Sequence, residues 1–325
     1  MSGTIYNEEF NSVEISRAHA LIGSAQAFSF VFVIALVWMG LSGSARSADA
    51  EVEDGGKFLS TWPNTYLDLR TNYSTLPGGT LSIGFSNPSL SSAIAFLQSS
   101  SALAGIPYRP KPLLPSSQSV GIDVPLTIDL NEQISVYGGF SATTSQSGMS
   151  DWSTLAIESW SFGFQADVYR QKGGIIPSIT LQSTLARSVP DAALATTSLN
   201  TVVEFDYAMN EDETKGLLAG VQYTAIAIDS PLAKINPNII GYVGGYYQWP
   251  DNWKFSGRVG VQSFGGAQLL SLTPVAAFTQ PIVRFDLDRN DDNDNRLFGV
   301  TAQIAWTPKP AYQLTIRTPL YLVKN

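Results

Sequence analysis

Between Trp253 and Gln262 the chain alternates between two chemistries almost without error. Trp253, Phe255, Gly257, Val259 and Val261 fall on one parity, and Lys254, Ser256, Arg258, Gly260 and Gln262 on the other. Successive side chains of a β-strand point to opposite faces, so this stretch predicts a strand with one apolar and one polar, charged surface. Residues 239–248 carry the same β-formers with a blurred alternation, and Trp249-Pro250-Asp251-Asn252-Trp253 supplies turn chemistry. Residues 239–264 therefore predict a tight hairpin with aromatic residues at its base. Two settings suit such a strand: half-buried in a soluble antiparallel sheet, or in an outer membrane with its apolar face on lipid and its polar face on a lumen.

The same alternation recurs along the chain. Val120, Ile122, Val124, Leu126, Ile128 and Leu130 oppose Gly121, Asp123, Thr127 and Asp129. Trp160, Phe162, Phe164, Ala166 and Val168 oppose Ser161, Gln165 and Asp167. Leu199, Thr201, Val203, Phe205 and Tyr207 oppose Asn200, Glu204 and Asp206. Further strands are predicted over 134–144, 175–188, 215–228, 281–288, 296–307 and 311–323. Residues 65–73 make a marginal strand at best, and TLSIGFS from Thr80 places Leu81, Ile83 and Phe85 on one face. Counting from Thr80 gives about twelve strands of roughly the ten-residue length that crosses a bilayer.

The connections discriminate between the two settings. Counted from Thr80, one set of connections (87–119, 145–158, 189–197, 229–238, 265–280) is long, and the alternate set (131–133, 171–174, 210–214, 250–252, 289–295) is short. Only 308–310 breaks the rhythm on the long side. Transmembrane barrels keep short turns on the periplasmic side and longer loops outside, whereas a soluble sandwich has no reason to. The fold class expected is all-β, an antiparallel up-and-down transmembrane β-barrel of about twelve strands. Tyr207 and Trp253 at inner strand ends and Trp160, Trp306 and Tyr312 at outer ends suit interfacial girdles.

The chain has no Cys and only 14% charged residues, with 27 acids against 19 bases. That balance gives no basic surface for nucleic acid, and thiolate catalysis, disulfides and Cys-ligated metals are excluded. Residues 27–41 form an uncharged apolar run followed by Ala48-Asp49-Ala50, the pattern of a secretory signal with an A-x-A cleavage site. Glu8, Glu9 and Glu14 outnumber Arg17 ahead of it, the wrong sign for such a leader. The expected organisation is a signal peptide over 1–50, a periplasmic segment over 51–78 and a barrel over 79–325. The one histidine, His19, falls in the leader. Without it the exported chain has no Ser-His or Asp-His machinery, so enzymatic activity is not expected.

YRQKGGIIPSITLQSTLARSVP and IIGYVGGYYQWPDNWKFSGRVGVQ resemble, in hairpin style, the transporter barrels associated with the MetA pathway of phenol degradation. The wider likeness, over everything after the leader, is to Gram-negative outer-membrane β-barrels. The resemblance implies a channel or uptake barrel for small aromatic compounds and transfers no functional residues. The chain departs from such barrels in ending Tyr321-Leu322-Val323-Lys324-Asn325, where an aromatic residue often serves as assembly signal.

The polar parity supplies the candidate pore lining: Asp123, Asp129, Asp167, Glu204, Asp206, Lys254, Arg258, Arg284 and Arg317. Acids dominate the early strands and bases the late ones. Two arrangements are open: opposite walls of opposite charge, setting up a transverse field across the passage, or charges paired across the interior so as to plug it. The Asp/Asn run 286–295 offers hard oxygen ligands to Ca²⁺ but lacks the Gly and terminal Glu of an EF-hand, and reads as a solvated turn. No cofactor is expected. The partners expected are outer-membrane lipid and a small-molecule solute passing passively through the barrel. The alternative is a non-conducting structural or adhesive barrel that binds a partner through its outer loops.

Overall fold

The computed structural model describes residues 64–81, 114–148, 150–189, 195–269, 273–291, 296–307 and 309–323. The expected signal peptide lies outside them. Within them the alternating segments become strands: β1 (Thr65–Leu76), β2 (Ser117–Asp129), β3 (Ile134–Ser147), β4 (Ala156–Tyr169), β5 (Ser178–Ser188), β6 (Thr196–Ala208) and β7 (Lys215–Ile228). The chain continues through β8 (Ala233–Ile235), β9 (Asn238–Gln248), β10 (Trp253–Phe264), β11 (Ala267–Leu269), β12 (Phe278–Asn290), β13 (Arg296–Thr307) and β14 (Lys309–Val323). Twelve of these close into an antiparallel barrel in the order β1-β14-β13-β12-β10-β9-β7-β6-β5-β4-β3-β2. Closure leaves no unpaired edge, the condition for a sheet to sit in hydrocarbon.

The strand total matches the expectation, but the first strand does not. The barrel begins at Thr65, in the stretch assigned to a periplasmic segment, and Thr80 and Leu81 lie beyond the end of β1. β1 pairs with β14 on one side (Ser74 with Gln313) and with β2 on the other (Ser74 with Ser119). Its sequence, TYLDLRTNYSTL, sets Leu67, Leu69 and Tyr73 against Asp68, Arg70, Asn72 and Ser74, and the pairing with β14 shifts register between Leu67 and Asp68. Two full-length neighbours hold it in the extended conformation.

Short and long connections alternate less sharply than expected: 148–155 and 170–177 are equally long, and one residue separates β13 from β14, while 265–277 and 249–252 keep the contrast. The inner turn between β9 and β10 closes with Trp249 donating its N–H to the Trp253 carbonyl and with Asn252 in the left-handed region at φ 64°, which Asn tolerates better than most residues. Two outer connections carry structure of their own. β8 and β11 pair as a small separate sheet, Lys234 opposite Gln268. Ala233, Ile235, Ala267, Leu269 and Val275 bury there against Ile226, Phe264, Leu81 and Leu114. Phe264 and Ile226 lie on the inward parity, so the polar rule lapses at the outer end, where inward positions meet apolar loop residues.

The two barrel faces separate cleanly over the late strands. Phe255, Val259, Val261, Phe285, Leu314 and Ile316 are exposed on the outside. Phe255 and Phe285 stack there with ring centroids 6.0 Å apart. Their neighbours of opposite parity, Gln262, Gln280, Ile282, Asp286 and Gln303, are buried inside. An apolar surface turned outward and a polar one turned inward inverts the soluble rule, and suits lipid outside.

Candidate functional site

The interior is best read from contacts that only an inward side chain can make. Arg258 on β10 reaches Glu204 on β6, three places along the wall. At about 4.8 Å per strand that separation is bridged by leaning over the concave interior. Arg258 Nη2 lies 3.2 Å from Glu204 Oε2, and Nη1 lies 2.8 Å from Asp286 Oδ2. Tyr242 on β9 donates its hydroxyl to the same Glu204 oxygen at 2.7 Å.

Asp286 is the hub. It also accepts from Arg284 at 2.9 Å, from Arg317 at 3.5 Å and from the Thr301 hydroxyl at 2.5 Å. Arg317 continues to Asp288 at 3.0 Å, and Asp288 meets Arg296 at 3.1 Å. A belt of ion pairs thus runs along one wall from β6 to β14. A buried carboxylate is tolerable only when paired and hydrogen-bonded in this way. Beside the belt, amides replace charges: Gln262 donates to Asn238 at 2.8 Å, Gln280 donates to Gln262 at 2.5 Å, and Gln303 to Gln313 at 3.3 Å.

The opposite wall is built from shorter groups. Ser119, Asp123 and Thr127 of β2 stand opposite Ser145, Ser141 and Tyr137 of β3, which are followed around the ring by Ser159, Ser161 and Gln165 of β4. Tyr137 spans two strands to pair its hydroxyl with the Thr184 hydroxyl of β5 at 2.7 Å and to accept from Gln182 at 3.0 Å. It lies flat because Gly163 on β4 is beneath it. A Cβ there would sit 2.6 Å from the Tyr137 ring, closer than any real Cβ stands. Gly220 on β7 makes the same room for Tyr242.

The nine predicted lining residues fall into two sets. Glu204, Arg258, Arg284 and Arg317 belong to the belt. Asp206 lies next to it, beside Tyr246, whose ring sits 4.6 Å under the Lys254 ammonium. Asp123, Asp129 and Asp167 are not brought to it: Asn72 donates to Asp123, Tyr66 is beside Asp129, and Arg170 meets Asp167 at 3.1 Å. Bases therefore do not stand alone on one wall facing acids on the other, since the late arginines are paired along their own wall. Sequence reasoning missed Asp286, Asp288, Arg296, Arg70 and Tyr242. The reading of 286–295 as a turn is corrected in its first half, because β12 extends to Asn290 and turns Asp286 and Asp288 inward. Their shared parity with Arg284 was the available signal. Asp292 and Asp294 lie outside the described residues.

A closed antiparallel barrel with apolar residues outside and ion pairs within is a transmembrane barrel, the architecture of bacterial outer-membrane proteins. No protein-family model and no curated protein matches the chain. Among solved structures it is similar to the COG4313 outer membrane channel from Pseudomonas putida F1, with TM-score 0.50, 10% identity, and coverage of 83% of this chain and 100% of that one. It also matches the CymD monoaromatic hydrocarbon channel (TM-score 0.37, 10% identity, 80% and 88% covered). A Pseudomonas aeruginosa FadL homologue matches with TM-score 0.37, 8% identity, and 80% and 91% covered. At such identities the likeness is one of fold.

Proposed function

We propose that this barrel is a passive outer-membrane channel for small solutes, and that the nine lining residues border its water-filled interior. The observation carrying this reading is the asymmetry of the interior. The long charged side chains are tied back to one wall by the Asp286 belt, while the wall from β2 to β5 presents mainly short hydroxyl side chains. Folding long groups against one side leaves space along the other, so the passage runs off-centre past Ser141, Ser161 and Gln165. The hairpin resemblance to the MetA-pathway barrels supports small aromatic or apolar compounds as solutes. Such a route needs no catalytic group.

The second reading, a silent barrel whose outer loops bind a partner, draws on the order of the outer connections, where β8 pairs with β11 over a buried apolar cluster. Single-channel recording decides between them, using protein purified from the outer membrane of an expressing host and heat-modifiable gel mobility as the folding control. Stable open steps support the channel. A folded barrel that never opens sinks it and favours the loop-binding alternative.

A further inference from the structure

Among the ion pairs of the interior, the depth of the two partners is unequal. Asp286 is 6% exposed, whereas its partner Arg284 is 29% exposed. Asp288 is 16% exposed against 37% for Arg296, and Asp68 20% against 42% for Arg70. In these three pairs the carboxylate is sunk into the wall and the guanidinium lies over it, toward the lumen water, whereas Arg258 (17% against 27% for Glu204) and Arg317 (14% against 16% for Asp288) lie at least as deep as those carboxylates. Acids outnumber bases among the interior charges as a whole, but along this wall an ion in the passage meets the arginines Arg70, Arg284 and Arg296 before their carboxylates. Screening by water weakens the more distant, buried carboxylate least where it touches its own arginine, and leaves the guanidinium edge as the field at the surface.

Two further features point the same way. Arg70 and Arg317 are directly opposite one another across β1 and β14, an arrangement that like charges normally avoid. The Nε–H groups of both are buried and have no hydrogen-bond partner. Asp123, directly opposite Arg70 across β1 and β2, accepts from Asn72. Facing arginines gather positive charge that their own wall does not fully pair, and the outer edge of Arg70, 42% exposed, is where a small carboxylate in the lumen can be met, because a guanidinium fork binds a carboxylate through two parallel hydrogen bonds.

We infer that the lumen wall around Arg70, Arg284, Arg296 and Arg317 is a transient binding site for small carboxylate anions and makes the channel anion-preferring although the chain is acidic. This rests on the channel reading above. The test is the zero-current potential of the outer-membrane protein in a planar bilayer under a potassium chloride gradient, followed by addition of potassium acetate at fixed chloride. Chloride is expected to permeate better than potassium, and acetate to reduce the chloride current. In the Arg70→Gln/Arg284→Gln/Arg296→Gln variant the anion-to-cation permeability ratio is expected to fall about threefold or more, and the acetate effect to disappear. Arg284→Gln alone, which leaves Asp286 held by Arg258 and Arg317, gives a smaller shift in the same direction and serves if the triple variant does not fold. Preference of the unaltered channel for potassium, or a ratio indifferent to these substitutions, overturns the inference while leaving the channel intact. A folded protein without conductance overturns the channel reading first and this site with it.

Discussion

The walls on either side of the interior solve the same problem by different means. From β9 to β14 the inward positions are mostly long, with a small apolar cluster of Ile240, Ile282 and Ala305, and the polar ones satisfy one another: Asp286 alone takes hydrogen bonds or ion pairs from Arg258, Arg284, Arg317 and Thr301. From β2 to β5 they are mostly short, and one long residue, Tyr137, is folded flat over Gly163. Long side chains with enough partners stiffen a wall and reduce the bore, whereas hydroxyls leave the bore to water. A lumen can thus be polar throughout and still be open on one side only.

The comparison is most easily broken at the hub. Asp286→Ala takes a carboxylate partner from Arg284, Arg258 and Arg317, of which Arg258 keeps Glu204 and Arg317 keeps Asp288, and is expected to cost about 3 kcal/mol, read as a lower temperature for loss of the fast-migrating folded band on unheated gels. The faces are tested next. Val259, exposed on the outer face beside inward Arg258, should meet lipid, so Val259→Arg is expected to cost roughly 2–4 kcal/mol in bilayer folding titrations. A neutral result there would mean that the outer face of β10 does not contact hydrocarbon. Gly163→Val should lift Tyr137 off β4 and cost about 1–3 kcal/mol of overpacking, with a drop in conductance as the ring swings into the space. Smallest in stability is Ser161→Trp, a substitution toward the open side. It should leave the folded band where it is and lower single-channel conductance several-fold, while Gln303→Trp on the packed wall destabilises the fold instead. Equal conductance in the two variants would remove the asymmetry.

Much of the architecture was legible from residue order because strand alternation has a period of two and turn chemistry is local. The β9–β10 hairpin and the inward parity of Glu204, Arg258, Arg284 and Arg317 follow from those two regularities. β1 reads as marginal although Leu67, Leu69 and Tyr73 alternate with Asp68, Arg70, Asn72 and Ser74, since its place in the ring comes from pairing with β14, more than two hundred residues away in sequence. Not legible were the buried apolar loops at the outer end, where Phe264 breaks parity because its neighbours there are Leu81 and Leu269 rather than water.

By itself, then, the order of residues determined an even-stranded barrel with one lipid-facing and one polar surface, since side-chain direction along a strand is fixed by backbone geometry alone. Which charges meet was decided only by closure. Pairing of Arg258 with Glu204 depends on register and curvature across four strands, and the depth of Asp286 beneath its arginines depends on which neighbours lean over it. Those are properties of the closed ring, and no single strand contains them.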